Sequence, residues 1–379
     1  MQQLTPKISV LMSVYNGSAY LQESIESILH QTYSDFEFII IDDCSTDKSA
    51  AIIAKYAQKD RRIKLITNQT NIGLTKSLNK GLTLAQGEYI ARQDADDISY
   101  PARLEKEVLV LEKSADIGLV SCNINLIDSQ GNSLGKLDRA CDTDIVGWYL
   151  LFYNRLAGHS QVMFRRQLVI KLRGYDEARL YSQDYELWCR LINVSNIAIL
   201  PEILLKQRRH ADSISASKSL EQKKYSLEQS QQNIEGLINR EINLEQVEYL
   251  RGFWLGHCYP DRFPDPKSIE RLNPTLIELY QAFIQSKNQP HNVVPDLSQT
   301  LQLIISKQFA LWIQTPLTRK QGLITKIRVS YLASSWCSSA IFSSWLVMLK
   351  NTIPTLAKVI FRPLADLKSI SQINKSTRS

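Results

Sequence analysis

The first hundred residues alternate between short apolar runs and stretches of helical apolar spacing, and no other feature constrains the fold as tightly. Lys7 to Val14, Phe36 to Ile41, Ile63 to Ile66 and Gly87 to Ala91 read as strands. Leu21, Ile25 and Ile28, then Ile52, Ile53 and Tyr56, then Leu74, Leu78 and Leu82 recur at helical spacing between them. Four strands separated by three helices predict an α/β fold, a parallel sheet covered by helices. Ligands of such sheets bind beyond the carboxyl ends of the strands. Tyr15-Asn16, Asp42-Asp43 and Asp94-Ala95-Asp96-Asp97 each follow a strand's carboxyl end, so all three are expected on one edge.

The last of these clusters sets the chemistry. Three carboxylates within four residues repel one another unless a cation holds them, and a hard divalent ion such as Mg²⁺ or Mn²⁺ shares carboxylates with substrate phosphates. The cluster therefore reads as a metal–diphosphate site. The alternative is a solvated acidic turn, with Asp97 capping the helix that begins near Pro101. No GxGxxG follows the first strand and no Walker A motif occurs, which excludes the dinucleotide and P-loop readings.

Further along, Ile117 to Cys122 and Ile124 to Ile127 read as two strands turned back at Asp128 to Asn132, and Val146 to Tyr153 as a helix. Tyr181-Ser182-Gln183-Asp184 opens an apolar helix, where Asp184 is either a general base or a helix N-cap. His159 falls in a loop suited to an acceptor, with a structural hydrogen bond as the other reading. His210 is a metal or diphosphate ligand, or part of an exposed basic loop. From about residue 216 the chain turns Gln-, Glu- and Lys-rich, with helical spacing over Ile234 to Phe253, Ile269 to Phe283 and Leu301 to Ile313. Two regions are expected, 1–215 and a helical 216–379.

Charge and cysteine content bound the setting. From Pro316 onward there are ten Lys or Arg and one acid, a net +9 against +7 for the whole chain, which leaves the remainder at −2. Such a tail (316–379) suits an anionic surface rather than a nucleic-acid-binding body. Within it, 327–349 has no acid but seven serines, and is an interfacial, core or spanning helix. The six scattered cysteines form no CxxC pair, and Met1 to Lys7 has no apolar leader stretch. Both point to a reducing, cytoplasmic location, and the basic tail to a peripheral place at the cytoplasmic face of the membrane.

Taken in order, Ser9-Val10 through Gly17, Ile41 through Asp47, Asn71-Ile72-Gly73-Leu74 through Gly81, Tyr89 through Asp97 with Pro101 and Arg103-Leu104, Gly174-Tyr175-Asp176, Gln183 through Trp188 and Arg208-Arg209-His210 resemble the family 2 glycosyltransferases. These are inverting enzymes with the GT-A fold, a Rossmann-like mixed sheet that binds a nucleotide-diphosphate sugar. The resemblance covers roughly the first 215 residues and implies the roles that follow. Asp43 accepts the uracil N3–H of a UDP-sugar, with Tyr15 and Asn16 close to the base. Asp94, Asp96 and Asp97 form the DxD region that meets ribose and metal, with Mn²⁺ or Mg²⁺ on Asp96, Asp97 and His210. Asp184 is the catalytic base. Read from the residues themselves, Lys76, Lys80, Arg92 and Arg103 are cations able to reach phosphates, where most such cations merely solvate a helix face, and Arg208 and Arg209 are charge stabilisers or part of an exposed basic loop. Gln183 stands where relatives usually carry Glu, which removes any helper role for that position. No Gln-x-x-Arg-Trp motif occurs, so the chain resembles single-addition rather than processive enzymes, acting on a glycan or lipid-linked acceptor. A sugar-nucleotide pyrophosphorylase is the competing enzyme, but Ser13 to Gly17 is not its Gly-rich basic loop. A non-catalytic nucleotide-sugar-binding module is the competing non-enzyme.

Overall fold

The computed structural model describes residues 5–156, 158–211, 213, 218–256, 266–287, 296–313 and 323–337. The chain divides into two compact units, Met1–Ile234 and Glu235–Ser379. The division lies beyond the compositional change near residue 216. Helix α8 (Ser219–Ile238) begins as part of the first unit, where Ser230 Oγ donates to the Leu151 carbonyl at 2.6 Å and Asn233 Nδ2 to that of Leu150 at 2.8 Å.

In the first unit, β1 (Ile8–Val14), β2 (Phe36–Asp42), β3 (Ile63–Thr67) and β4 (Tyr89–Arg92) are parallel neighbours, as their alternation with helices requires. The sheet continues through β5 (Ile98–Ser99), β6 (Ile117–Ile127), β7 (Ser133–Leu137), β8 (Met163–Arg165) and β9 (Asn196–Arg208). Its order is β3-β2-β1-β4-β8-β6-β9-β5, with β7 paired to β6. Strand β8 runs antiparallel to both β4 and β6, so the sheet is mixed.

Strands β1 and β2 are buried on both faces, which is why they read as nearly continuous apolar runs. On one face Val10, Met12, Phe38 and Ile40 pack under α1 (Leu21–Leu29), α2 (Ser49–Lys59) and α4 (Arg103–Lys113), through Leu21, Ile25, Ile53, Leu104 and Val108. On the other, Leu11, Ile39, Ile41 and Ile90 pack under α3 (Leu74–Leu84), α5 (Thr143–Leu150), α6 (Arg166–Lys171) and α7 (Gln183–Leu191), through Leu78, Leu82, Leu150, Val169 and Trp188.

Ile117–Ile127 is one strand, not two. The polar Asn123 that suggested a break sits where the pairing with β9 shifts register. Its amide is fully used, donating to Asp138 Oδ1 and the Pro201 carbonyl and accepting the Arg139 and Ala140 N–H groups. Sequence periodicity carries no record of such tertiary partners.

The second unit is helical. The stretch Ile234 to Phe253 is interrupted: Asn239 takes a left-handed conformation (φ 54°), and Asn243 caps α9 (Leu244–Leu255) by accepting the Gln246 N–H at 2.8 Å. Helices α10 (Pro266–Lys287), α11 (Leu297–Ile313) and α12 (Leu323–Trp336) follow. Within 327–349, the described part packs as a core helix. Val329, Ala333 and Trp336 are buried, Trp336 Nε1 donates to Asn273 Oδ1 at 2.8 Å, and Ser306 Oγ donates to the Ala333 carbonyl at 2.6 Å. Residues 338–349, and most of the basic tail, lie outside the described residues. Among the described residues, no helix is long and apolar enough to cross a membrane.

Candidate active site

In the sheet register Val14 pairs with Asp42 and Leu11 with Arg92, so the segments after β1, β2 and β4 emerge on one edge. Each is tied to its neighbour. Asn16 turns the chain in a left-handed conformation (φ 51°) and leaves Tyr15 54% exposed. Asn16 Oδ1 accepts the Thr46 N–H at 2.8 Å, and the Asn16 N–H donates to Ser45 Oγ at 3.0 Å. The Ser18 N–H donates to Asp47 Oδ2 at 3.0 Å. Burial works against the Asp47 charge, but hydrogen bonds from Ser49 and Ser18 outweigh it and hold its pKa down to about 2. Asn16 is thus spent on joining two loops, and Tyr15 is the side chain offered outward.

Asp43 is buried beneath this pair. Its Oδ1 accepts Asn68 Nδ2 at 2.7 Å and the Ile72 N–H at 3.0 Å, and its Oδ2 accepts the Gly73 N–H at 2.8 Å. Gly73 has φ 88°, a conformation other side chains rarely adopt, and it opens α3. A carboxylate has about four lone-pair sites. Three are occupied here, which leaves one. Lys76, in the first turn of α3, is exposed, while Lys80 Nζ donates to Asn68 Oδ1 at 2.7 Å.

The acidic turn is not a symmetric cluster. Asp94 is 32% exposed and paired with Arg92 at 2.6 Å. Burial pushes the Asp94 carboxyl up, the Arg92 charge pulls it down, and the Asp96 charge raises it further. Asp96 is 30% exposed, with its Oδ2 2.9 Å from His210 Nε2. Asp97 points inward: it is 2% exposed, and its Oδ1 accepts the Arg208 N–H at 2.9 Å. Burial, then the Asp96 and Asp94 charges, raise its pKa well above the carboxylate range. The expectation that Asp97 shares a cation with Asp96 is corrected by this geometry, because its carboxylate faces the protein. Nor does Asp97 cap the next helix, since α4 starts at Arg103 behind Ala102.

Arg92 also needs correction as a phosphate ligand. Its guanidinium is completely buried, donating to the Leu11 and Gln93 carbonyls, to Asp94 and to His159 Nε2 at 3.2 Å. It orients Asp94 from below. Arg208 is likewise a brace rather than a diphosphate ligand: it bonds Glu23 at 2.6 Å and the carbonyls of Asp96, Asp128 and Ser129. Arg209 stays exposed.

Asp184 lies in the first turn of α7 behind Ser182, whose left-handed backbone (φ 56°) occupies the capping position. The N-cap reading therefore fails. Asp184 is half-buried, and its Oδ2 accepts Asn154 Nδ2 at 2.8 Å. Burial pushes its pKa up to about 6, against the pull of the Tyr185 N–H and the Asn154 amide, and the Asp94 charge raises it further. The two carboxylates are thus close enough to feel each other.

Close to both carboxylates sits a buried pair: Tyr175, read in the sequence only within its motif, and His159, read as an acceptor-loop or structural hydrogen-bonding residue. Tyr175 Oη is 2.7 Å from His159 Nε2, the nitrogen that also takes the Arg92 hydrogen bond. Burial and the Arg92 cation hold the His159 pKa well below its ordinary value, so the imidazole is neutral and serves as an acceptor. Gly174 (φ 70°) permits the turn that brings Tyr175 in, and a Cβ there would come 2.5 Å from Asn79 Oδ1. Asn154 and Ser160, whose Oγ accepts the Asp94 N–H at 2.8 Å, were not legible in sequence, since single polar residues in loops have no periodicity.

Among the described residues, no three His, Cys, Asp or Glu side chains converge as a metal cage. Asp96 and His210 present an oxygen and a nitrogen donor side by side. That fits a divalent ion completed by diphosphate oxygens, because such ions commonly take only one or two protein carboxylates beside phosphates.

Comparison with known proteins bears on the family and the fold. Residues 9–169 match the model for glycosyl transferase family 2. An uncharacterized glycosyltransferase from Methanocaldococcus jannaschii is 42% identical over 54% of this chain and 71% of its own. The O-antigen biosynthesis glycosyltransferase WbnJ from Escherichia coli is 38% identical over 55% of this chain and 82% of its own. Among solved structures, S. aureus TarS 1-349 in complex with UDP-GlcNAc aligns with a TM-score of 0.51 at 15% identity, over 90% of each chain. That last likeness concerns the fold.

Proposed function

The chain belongs to glycosyltransferase family 2, and from that premise we propose that it moves one sugar, with inversion, from a UDP-sugar to a hydroxyl of a cell-surface glycan or lipid-linked acceptor. The observation that carries the chemistry is Asp184, half-buried on the donor edge, with a pKa of about 6. A general base is most effective with a pKa near the working pH, because it must be ionised and still want the proton. The acceptor O–H gives its proton to the Asp184 carboxylate as the oxygen bonds to the anomeric carbon. The bond from that carbon to the diphosphate breaks on the opposite side, and UDP leaves.

The donor is held by the loop edge. Tyr15 offers a ring to the base and Asp43 its free lone pair, while Asp94, oriented by Arg92, faces the ribose. A divalent ion on Asp96 and His210 would neutralise charge on the departing diphosphate. Lys76, exposed at the start of α3, is the cation available to the phosphates. The name of WbnJ and that of the putative Bacillus subtilis glycosyltransferase EpsE support surface glycan synthesis, and the UDP complex of TarS supports a uridine donor. The net +9 from Pro316 onward supports a site of action at an anionic membrane surface. Screening nucleotide sugars for thermal stabilisation with Mn²⁺ or Mg²⁺, then for acceptor-dependent release of nucleoside diphosphate, tests the reading. Stabilisation without turnover across acceptors would leave a binding module instead.

A further inference from the structure

Two neighbouring arginines, Arg139 and Arg155, make no ion pair among the described residues. Arg155 follows Asn154, the residue bonded to Asp184, and its Nε donates to the Arg139 carbonyl at 3.0 Å while Nη1 donates to Tyr153 Oη at 3.2 Å. Its guanidinium lies 4.3 Å from the centroid of the Tyr149 ring, and that of Arg139 lies 6.0 Å from the Tyr153 ring. Both arginines are half-buried, and Arg139 Nε is buried with no hydrogen-bond partner. The groups acting on the Arg155 charge are tyrosines and Cys141, not carboxylates. Among the described residues, ion pairs engage Arg62, Arg92, Arg165, Arg179, Arg190, Arg208 and Arg240, and neither Arg139 nor Arg155. The nearby Asp138 is spent on Asn123 and the Ala140 N–H.

Two partly desolvated cations lack the carboxylate that normally compensates burial. Their planar forks match the oxygens of a phosphate, which accepts two parallel N–H bonds from a guanidinium. Stacking on tyrosine rings fixes the forks without neutralising them. We propose that Arg139 and Arg155 form a phosphate-binding subsite for the acceptor, so that the hydroxyl presented to Asp184 belongs to a phosphorylated glycan or polyol. Arg155 directly follows Asn154, whose amide bonds Asp184 Oδ2 at 2.8 Å, so the subsite and the base are tied to the same loop. The inference rests on Asp184 being the base and deepens that reading by naming the acceptor's chemistry.

The test uses the full chain saturated with UDP and Mn²⁺, so that the diphosphate position is filled, and methyl phosphate as the probe, titrated by calorimetry with methyl glucoside as the neutral control. Saturable binding of methyl phosphate, absent for methyl glucoside, is expected. It should weaken at least tenfold in Arg139→Gln, whose side chain has no structural hydrogen bond, and further in Arg139→Gln/Arg155→Lys, while UDP affinity and melting temperature hold. Asp184→Asn should keep methyl phosphate binding. Binding that is absent from the wild type, or unchanged in both variants, overturns the subsite. Loss of UDP binding in the wild type would instead overturn the transferase reading, so the two failures are distinguishable. Equal binding of methyl phosphate and acetate would replace the phosphate assignment with that of a carboxylate-bearing acceptor.

Discussion

His210 Nε2 lies 2.9 Å from Asp96 Oδ2, although 114 residues separate them in the chain. Strand β9 delivers the histidine, and its antiparallel pairing with β5, which directly follows the acidic turn, brings the two together. The Tyr20 ring, 5.0 Å from the imidazole centroid, limits where the imidazole can turn. If this pair holds a divalent ion against the diphosphate, His210→Ala and Asp96→Ala should each weaken UDP binding about tenfold or more in Mn²⁺ and leave it unchanged in EDTA. Losing one ligand of a small site commonly costs at least as much as losing an outer-sphere partner. Equal UDP affinity with and without metal in the wild type would contradict the assignment.

Asp97 should behave differently from its neighbour. Its carboxylate is buried against the Arg208 N–H, so Asp97→Ala removes a buried partner and should destabilise the fold by about 1–3 kcal/mol. Thermal or urea unfolding reads this directly. The metal dependence of UDP binding in the folded variant should stay that of the wild type, and a selective loss of it would return Asp97 to the ligand set.

Arg92 is a buried cation paired with Asp94. Arg92→Ala leaves that carboxylate without its partner and should cost about 3–5 kcal/mol, as breaking a buried pair does. His159→Gln keeps an acceptor for the Arg92 hydrogen bond and should preserve stability better than His159→Leu. Comparing the two melting temperatures checks whether neutral His159 serves as an acceptor for Arg92.

The alternation of strands and helices was legible because β1 and β2 are buried on both faces and periodicity reports burial. The loop edge was legible because Tyr15, Asp43, Asp94 and Asp184 fall at strand and helix ends. What sequence did not give is the direction of each side chain. Asp96 and Asp97 are adjacent letters, yet one faces outward and the other takes the Arg208 N–H. Arg92 read as a cation able to reach phosphates because it borders the acidic turn, and only the Leu11 and Gln93 carbonyls show that it is a support. Asn123 and Asn154 act through tertiary hydrogen bonds of one side chain each, which leave no pattern in the chain.

The raised pKa of Asp184 carries a pH signature. As the carboxylate acting on the acceptor, it should make kcat/KM fall as pH drops through about 6. The sign for stability is opposite. The folded state holds this proton more tightly than the unfolded chain, whose Asp titrates near about 3.9, so ionisation costs stability as pH rises from there to about 6. Asp184→Asn should therefore melt no lower than the wild type at pH 7, where a lost helix cap would lower the melting temperature.

The most direct test is the turnover of Asp184→Asn at pH 7 beside its UDP affinity. The substitution keeps the shape of the side chain and removes the proton-accepting charge. The account predicts a fall in kcat of roughly 10²–10⁴-fold, with UDP binding within a few-fold of wild type and an unchanged or higher melting temperature. A variant that turns over at near wild-type rate, or one whose lost activity tracks lost folding, would contradict the assignment of Asp184 as the base.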